Sequence, residues 1–196
     1  MKIIDYKLEI YKEILDRPLG DSNGPSGNDL IYSSILKIET DEGITGIAPL
    51  GNEYVKEFFP ILENEDPREV FSIWKKMIDM RAVNVVQPDV CYLGGVTRTL
   101  KVAEMALQAE LPCTPHSANL SLVTVFTLHI MGALKNAGPY VEFSIEGTDY
   151  YPWQEGIYDP ALVVKDGKVQ IPDGPGWGVE INPDFLEKSQ YQISNL

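Results

Sequence analysis

Cysteine is scarce in this sequence, which limits the kinds of protein that it can be. Only Cys91 and Cys113 occur, and they form neither a CxxC pair nor a cluster with the spacing of metal ligands. This usage is typical of a reducing compartment, where a free thiol packs as a small apolar side chain. We therefore predict that both cysteines are buried and structural.

Basic residues and long apolar runs are also lacking. The 16 Lys and Arg are outnumbered by 29 Asp and Glu, which gives a formal net charge of −13 without any dense basic cluster. These features exclude nucleic acid and anionic membranes as partners, since both are polyanions. No segment approaches the roughly 20 apolar residues of a membrane span, and no signal-peptide pattern is present at the N-terminus. We expect a cytoplasmic protein.

Residues 1–80 have the pattern of a small α+β unit. Residues 2–11 and 30–40 are rich in β-branched and aromatic types, and residues 44–49 can return as a third strand, which predicts an antiparallel meander. Turn-forming residues fill positions 15–29, so this stretch predicts a long loop of the functional kind.

Two helices are predicted after the meander, one over residues 52–63 and a second that is capped by the Asp-Pro step at 66–67. The apolar face of the second helix comprises Val70, Phe71, Trp74 and Met77. This helix then runs into residues 81–90 without the Gly, Asn or Pro that normally ends a helix before a strand. The step from Met80 to Arg81 is therefore a candidate deletion junction.

Beyond this step the pattern changes to the alternation of a parallel β/α protein. Apolar runs at 83–90, 111–116 and 140–145 predict strands, and residues 97–110 and 118–134 predict the helices between them. An aromatic loop follows, and then two short strands on either side of an Asp-Gly turn.

Three acid–base residues close the three apolar runs: Asp89, His116 and Glu142, separated by 27 and then 26 residues. Neighbouring parallel strands lie about 4.8 Å apart, so side chains at their carboxyl ends can reach one another. A carboxylate bound to an imidazole fixes its tautomer and raises its basicity, which suits a base that works near neutral pH. We predict that Asp89 hydrogen-bonds His116. Glu142 would contact a substrate carboxylate only if it were protonated or through a bound cation, because like charges repel.

Structural roles for the same residues remain open. Asp89 follows Pro88 and could be a turn former at a strand end, and His116 follows Pro115 and could be a loop histidine. His129 is interpreted as a packed helix residue. The Gly-rich stretches lack the spacing of a phosphate-binding loop, so nucleotide binding is not predicted.

Four segments in order resemble the closing part of mandelate racemase-type members of the enolase superfamily: VVQPDVCYLGGVTRTLKVAEMA, LPCTPHSANLSL, YVEFSIEG and IPDGPGWGVE. The likeness covers most of residues 81–182, and residues 1–80 are similar to the first part of that family's capping domain. It implies an α/β fold with an α+β cap: an enolase-like capping domain over 1–80, the last three strands of an incomplete TIM-type (β/α) barrel over 81–146, and a C-terminal segment over 147–196 that returns to the cap.

The resemblance also implies roles for individual residues. Asp89 and His116 match the family's Asp-His dyad on the sixth and seventh barrel strands, with His116 as general base or acid. Glu142 matches the eighth-strand glutamate that contacts the substrate's carboxylate or enolate oxygen. The loop at 16–29 matches the cap loop that covers the site and helps to select the substrate. The further substrate contacts predicted are Asp21, Asn23 and Tyr150.

In full-length members of the family, these residues act together with a magnesium ion to abstract the proton α to a carboxylate. The reaction leads to racemisation or to loss of water from acid sugars. Between Met80 and Arg81 this sequence has no counterpart of the family's lysine motif or of its three Asp/Glu metal ligands, so we assign no metal ligand. A β/α barrel takes about 250 residues, far more than this chain can supply. The resemblance thus predicts a truncated acid-sugar dehydratase or racemase without independent activity.

Two other interpretations remain. The chain could be a non-enzymatic remnant that pairs with itself or with another barrel and so buries its open strand edges, which predicts a homo-oligomer. It could also be an incomplete gene model or an engineered deletion.

Overall fold

A computed structural model describes residues 1–19, 28–49, 54–117, 121–144 and 156–188. The chain divides into two compact units, Met1–Met77 and Ile78–Leu196. Within the described ranges no helix is long and apolar enough to cross a membrane. The predicted substrate contacts Asp21, Asn23 and Tyr150 lie outside the described residues.

The first unit is built on an antiparallel sheet with the order β1 (Ile3–Leu19), β2 (Asn28–Thr40) and β3 (Thr45–Pro49). Gly43 has a φ of +75° in the turn between β2 and β3. Such a backbone costs a residue with a side chain roughly 1–2 kcal/mol, which explains the glycine. The Thr40 hydroxyl accepts the Ile44 N–H at 3.1 Å and so ties the turn together. The predicted meander is confirmed.

The hairpin of β1 and β2 is longer than the sequence predicts. Residues 15–19, which the sequence pattern places in the loop, belong to β1, and β2 already begins at Asn28. The register shifts between Ile14 and Leu19, an interval that contains Pro18. Beyond Ile14 the two strands pair once more, at Leu19 and Asn28, which satisfies further backbone groups. The irregular stretch between these pairs tolerates a proline, which has no N–H. The tip of the predicted loop lies outside the described residues.

The sheet is followed by α1 (Val55–Leu62) and α2 (Val70–Asp79). The rings of Tyr6 and Phe59 are in contact, with centroids 4.7 Å apart, so α1 packs against the face of β1 that carries Tyr6. The second helix begins at Val70 and not directly after the predicted cap. Asp66 instead closes a separate turn, because its carboxylate accepts the Arg68 N–H at 3.0 Å and also pairs with the Arg68 guanidinium.

The second unit contains α3 (Val96–Gln108) and α4 (Leu122–Ala133), each of which follows a short segment of parallel backbone. Val86 pairs with Cys113, and Cys113 pairs with Ala137, both in parallel. The Val86 N–H donates to the Pro112 C=O at 2.9 Å. The predicted β/α alternation is therefore present, but within the described residues the three segments meet at single bridges and do not form a closed barrel.

The third parallel segment lies earlier than predicted. Cys113 pairs with Ala137 and not with the apolar run at 140–145, and the Gly138 N–H donates to the Cys113 C=O at 3.0 Å. A Cβ at position 138 would lie 2.0 Å from the Thr114 hydroxyl oxygen, so only glycine allows this close approach. Because the pairing uses small residues of low β-propensity, a search for apolar runs misses it.

The core of the second unit lies between the parallel segments and their helices. Val86, Val102 and Cys113 are fully buried. Burial raises the pKa of the Cys113 thiol to about 11, as suits the structural role predicted for it. The same prediction for Cys91 is wrong, because Cys91 is exposed in the turn that follows Asp89.

Two small two-stranded sheets, a loop and a short helix complete the described part of the second unit. The elements are β4 (Tyr158–Asp159), which pairs with β7 (Glu180–Ile181), β5 (Val164–Lys165), which pairs with β6 (Lys168–Val169), and α5 (Pro183–Lys188). Asp166 and Gly167, with φ of +53° and +71°, form the predicted turn between β5 and β6. His129 on α4 lies with Nε2 2.8 Å from the Trp177 C=O and therefore donates to it.

Candidate active site

The carboxyl ends of the first two parallel segments bring Asp89 and His116 together. Val86 and Cys113 pair directly, and each acid–base residue follows three positions later along its own segment. The backbone N–H of His116 donates to the backbone C=O of Pro88 at 3.2 Å, so the main-chain pairing of the two segments extends to the site. Nδ1 of His116 lies 2.9 Å from Oδ2 of Asp89. The predicted hydrogen bond is confirmed.

The Asp89 carboxylate is also held by the turn that follows it. Its Oδ1 accepts the backbone N–H groups of Cys91 at 2.8 Å and Tyr92 at 3.0 Å. Burial raises the pKa of Asp89, but the hydrogen bonds from His116, Tyr92 and Cys91 together outweigh it and leave the pKa below its ordinary value of 3.8. An ionised Asp89 accepts only, so it places the neutral histidine's proton on Nδ1 and leaves Nε2 free to take another.

The third segment adds Glu142 to the other side of the imidazole. Its Oε2 lies 3.9 Å from Nε2 of His116 and accepts the Ser117 N–H at 2.9 Å. The His116 and Glu142 side chains are 43% and 42% exposed, so both can be reached from solvent. The structure therefore brings all three predicted acid–base residues together, with the imidazole between two carboxylates.

Sequence reasoning missed Ser117, which holds Glu142 through its backbone N–H. The Ser117 hydroxyl donates to the Thr124 hydroxyl at 3.0 Å, and both side chains are fully buried. A main-chain contact has no signature in residue type, so only the position of Ser117 next to His116 could have suggested a role. His129, predicted to be a packed helix residue, is half-buried and binds the Trp177 carbonyl.

The residues of this site do not fit a magnesium ion. In the part of the chain that the structure describes, no three His, Cys, Asp or Glu side chains come close enough together to hold a metal. Asp89 already binds His116 and two backbone N–H groups, and Glu142 binds the Ser117 N–H. Mg²⁺ requires near-octahedral oxygen ligation with well-placed carboxylates, and these two are otherwise engaged.

Acid–base side chains at the carboxyl ends of parallel segments are typical of active sites in α/β proteins. Comparison with known families is more specific. Residues 50–185 match the family described as enolase C-terminal domain-like. This match spans more than half of the sequence, so the chain belongs to that family and hence to the enolase superfamily.

Curated relatives and solved structures agree with this assignment. Arabinonate dehydratase of Saccharolobus solfataricus is 28% identical over 61% of this chain and 30% of its own length. L-galactonate dehydratase of Hypocrea jecorina is 32% identical over 61% of this chain and 26% of its own length. A Roseobacter denitrificans protein, described provisionally as a racemase, is 59% identical over 64% of this chain and 34% of its own, with a TM-score of 0.57.

A further structure shows what one relative binds. A Burkholderia xenovorans protein, described provisionally as an L-alanine-DL-glutamate epimerase, was solved with magnesium and fumarate. It is 26% identical over 58% of this chain and 27% of its own, with a TM-score of 0.51. The chain thus spans about a third or less of the length of these relatives.

Proposed function

We propose that this chain carries the proton-transfer half of an acid-sugar dehydratase or racemase site of the enolase superfamily. The observation that carries the proposal is the imidazole of His116 held between Asp89 and Glu142. The relatives named above include dehydratases of acid sugars, which supports an acid-sugar or other small carboxylate as substrate. The substrate would carry an acidic proton on the carbon next to its carboxylate.

In this proposal His116 is the general base. Asp89 keeps the Nδ1 proton in place, so the Nε2 lone pair takes the substrate proton, and the Asp89 carboxylate stabilises the positive charge that develops on the ring. Glu142 would contact a carboxylate or enolate oxygen of the substrate. A contact between two anions is repulsive, so Glu142 can make this contact only if it is protonated or if a bound cation lies between the two groups.

We further propose that the chain is truncated within the barrel and has no independent activity. Residues 1–80 would form part of a capping domain, residues 81–146 the last three barrel strands, and residues 147–196 a segment that returns to the cap. The proposed junction follows α2, where Arg81 adopts a φ of +54° although glycine is the residue that suits this conformation. In the family that this chain resembles, a bound magnesium would supply Lewis acidity to the substrate, and the residues described here do not offer a set of ligands for it.

Turnover assays with arabinonate, galactonate and gluconate, each with magnesium, test the proposed inactivity. We expect no product above that of a His116→Asn control. Magnesium-dependent product that disappears in the control would contradict the inactivity but support His116 as the base.

Isothermal titration with magnesium tests the metal argument separately. We expect weak binding or none, and no change in the Asp89→Asn variant, because the two carboxylates of the site are engaged by other partners. Tight binding that this substitution abolishes would show that the fragment has built its own metal site.

The alternative function, a non-enzymatic remnant that binds a partner, stays a prediction, and so does a homo-oligomer. Exposed apolar residues beside the first parallel segment, Val83 and Val85, are the feature that a partner strand would cover. A molar mass of one chain by light scattering after size exclusion would contradict self-association.

A further inference from the structure

A buried pair of hydroxyl groups lies directly behind the candidate site. The Ser117 hydroxyl donates to the Thr124 hydroxyl at 3.0 Å, and neither side chain is exposed to solvent. Ser117 follows His116 at the end of the second parallel segment, and Thr124 lies in the first turn of α4, which begins after the cap residue Ser121. The pair therefore connects the strand end that carries the imidazole to the start of the next helix.

Ser117 makes a second contact through its main chain. Its N–H donates to Oε2 of Glu142 at 2.9 Å, and the same oxygen lies 3.9 Å from Nε2 of His116. The Ser117 side chain thus anchors the residue to α4 while its backbone holds a carboxylate beside the imidazole. The Thr127 hydroxyl, one turn further along α4, donates to the His116 C=O at 3.5 Å and supports the same backbone.

Packing alone does not require hydroxyl groups at these two positions. Burying a hydroxyl without a partner costs about 1–3 kcal/mol, whereas replacing both members of a buried pair by apolar groups of the same shape can be nearly neutral. An alanine and a valine would fill similar volume without any polar cost. The hydrogen bond between the two hydroxyl groups adds a directional constraint. It restricts the orientation of Ser117, including its backbone N–H, relative to α4, which apolar packing would not do.

We propose that Ser117, anchored by Thr124, is a positioning residue that sets the distance between the Glu142 carboxylate and Nε2 of His116. It acts through Glu142 and does not itself contact substrate. The importance of this distance for proton transfer rests on the proposed function, but the positioning itself is a property of the folded chain and is measured without turnover.

The test uses the full chain labelled with ¹⁵N and follows the Ser117 amide by NMR. A carboxylate acceptor moves the resonance of the amide proton downfield and protects the amide from hydrogen exchange. Glu142→Gln keeps an acceptor oxygen but removes the charge, so its spectrum gives the Ser117 chemical shift expected for a weaker hydrogen bond. In Thr124→Val we expect Ser117 to lose its downfield shift and to exchange about tenfold faster, since a hydrogen bond to a charged group corresponds to at least that factor. Thr124→Ser, which keeps the hydroxyl, should restore both values.

Two controls separate positioning from general loosening. Thr99 on α3 carries another fully buried hydroxyl, which donates to the Gly95 C=O. Thr99→Val removes this hydroxyl and should leave the chemical shift and exchange rate of the Ser117 amide unchanged. The double variant Ser117→Ala with Thr124→Val should regain thermal stability relative to Thr124→Val, while the residue-117 amide still exchanges fast.

The proposal is overturned if the residue-117 amide keeps its shift and protection in a folded Thr124→Val chain, or if Thr99→Val changes it equally. If Thr124→Val does not fold, Ser117→Ala carries the same test, since it keeps the backbone N–H and removes only the anchor. The turnover and magnesium-binding experiments test the proposed function separately, and neither outcome of those experiments changes this result.

Discussion

Replacing Asp89 with asparagine tests how the carboxylate acts on His116. The carboxylate accepts hydrogen bonds from Nδ1 of His116 and from the backbone N–H groups of Cys91 and Tyr92. The asparagine oxygen can still accept the two backbone groups, which directs its NH₂ group toward Nδ1. Because an NH₂ group only donates, Nδ1 becomes the acceptor and the neutral ring must carry its proton on Nε2. The base proposed for the reaction is thereby blocked.

The cost in stability follows from the same contacts. A hydrogen bond to a charged group contributes about 1.5–3 kcal/mol, and the lower value applies here because the His116 side chain is 43% exposed and the contact is screened. We therefore expect Asp89→Asn to lower the free energy of unfolding by about 1.5 kcal/mol at pH 7. The pKa of Asp89 is lower in the folded chain than its ordinary value of 3.8. The stabilisation is accordingly present above about pH 4 and is lost as the pH falls through the folded-state pKa.

Urea unfolding of both chains at pH 7 and at a series of lower pH values measures how this difference shrinks as Asp89 becomes protonated. The imidazole ¹⁵N spectrum, recorded where both rings are neutral, reports the tautomers. His116 should carry its proton on Nδ1 in the original chain and on Nε2 in the variant. His129, which donates from Nε2 to the Trp177 C=O, should show the Nε2–H form in both and serves as the internal reference. An Nε2–H tautomer of His116 in the original chain, or a stability difference that persists in acid, would refute the reasoning.

Two further substitutions test how the chain is held together. Glu110, just after the end of α3, has a φ of +57°. Glu110→Gly should raise the free energy of unfolding, measured in urea, by about 0.5–1 kcal/mol. The reason is that a residue with a side chain pays more for this conformation than glycine loses through the larger entropy of its unfolded chain. A loss of stability would contradict this account. Gly138→Ala should lower stability by about 1–3 kcal/mol, because its Cβ would meet the Thr114 hydroxyl. Adding Thr114→Ala removes that oxygen and should recover part of the loss, and a strictly additive double-mutant cycle would show that the clash is not the cause.

Local pattern was enough to predict the features that depend on it. The meander of β1 to β3, the two helices α3 and α4 and the turn at Asp166 all follow from residue types with strong conformational preferences. The contact between Asp89 and His116 also followed from spacing, because β/α units repeat at a nearly constant length and so bring strand-end residues to the same edge.

The path of β1 beyond Ile14 could not be predicted in the same way. Asp16, Pro18 and the run of turn formers after Leu19 indicate a loop, yet the strand continues to Leu19. The gain comes from pairing with β2, which depends on where the second strand lies and not on the residues of the first.

The folded chain alone decided how the candidate site is completed. The third parallel segment pairs at Ala137, where Gly138 leaves room for the Thr114 side chain, and the Glu142 carboxylate is held by the backbone N–H of Ser117. Spacing placed Glu142 at the correct end of its segment but could not identify its partner. Every residue other than proline offers the same backbone N–H, so residue type predicts which side chains carry the chemistry, and only tertiary packing determines which main-chain groups hold them.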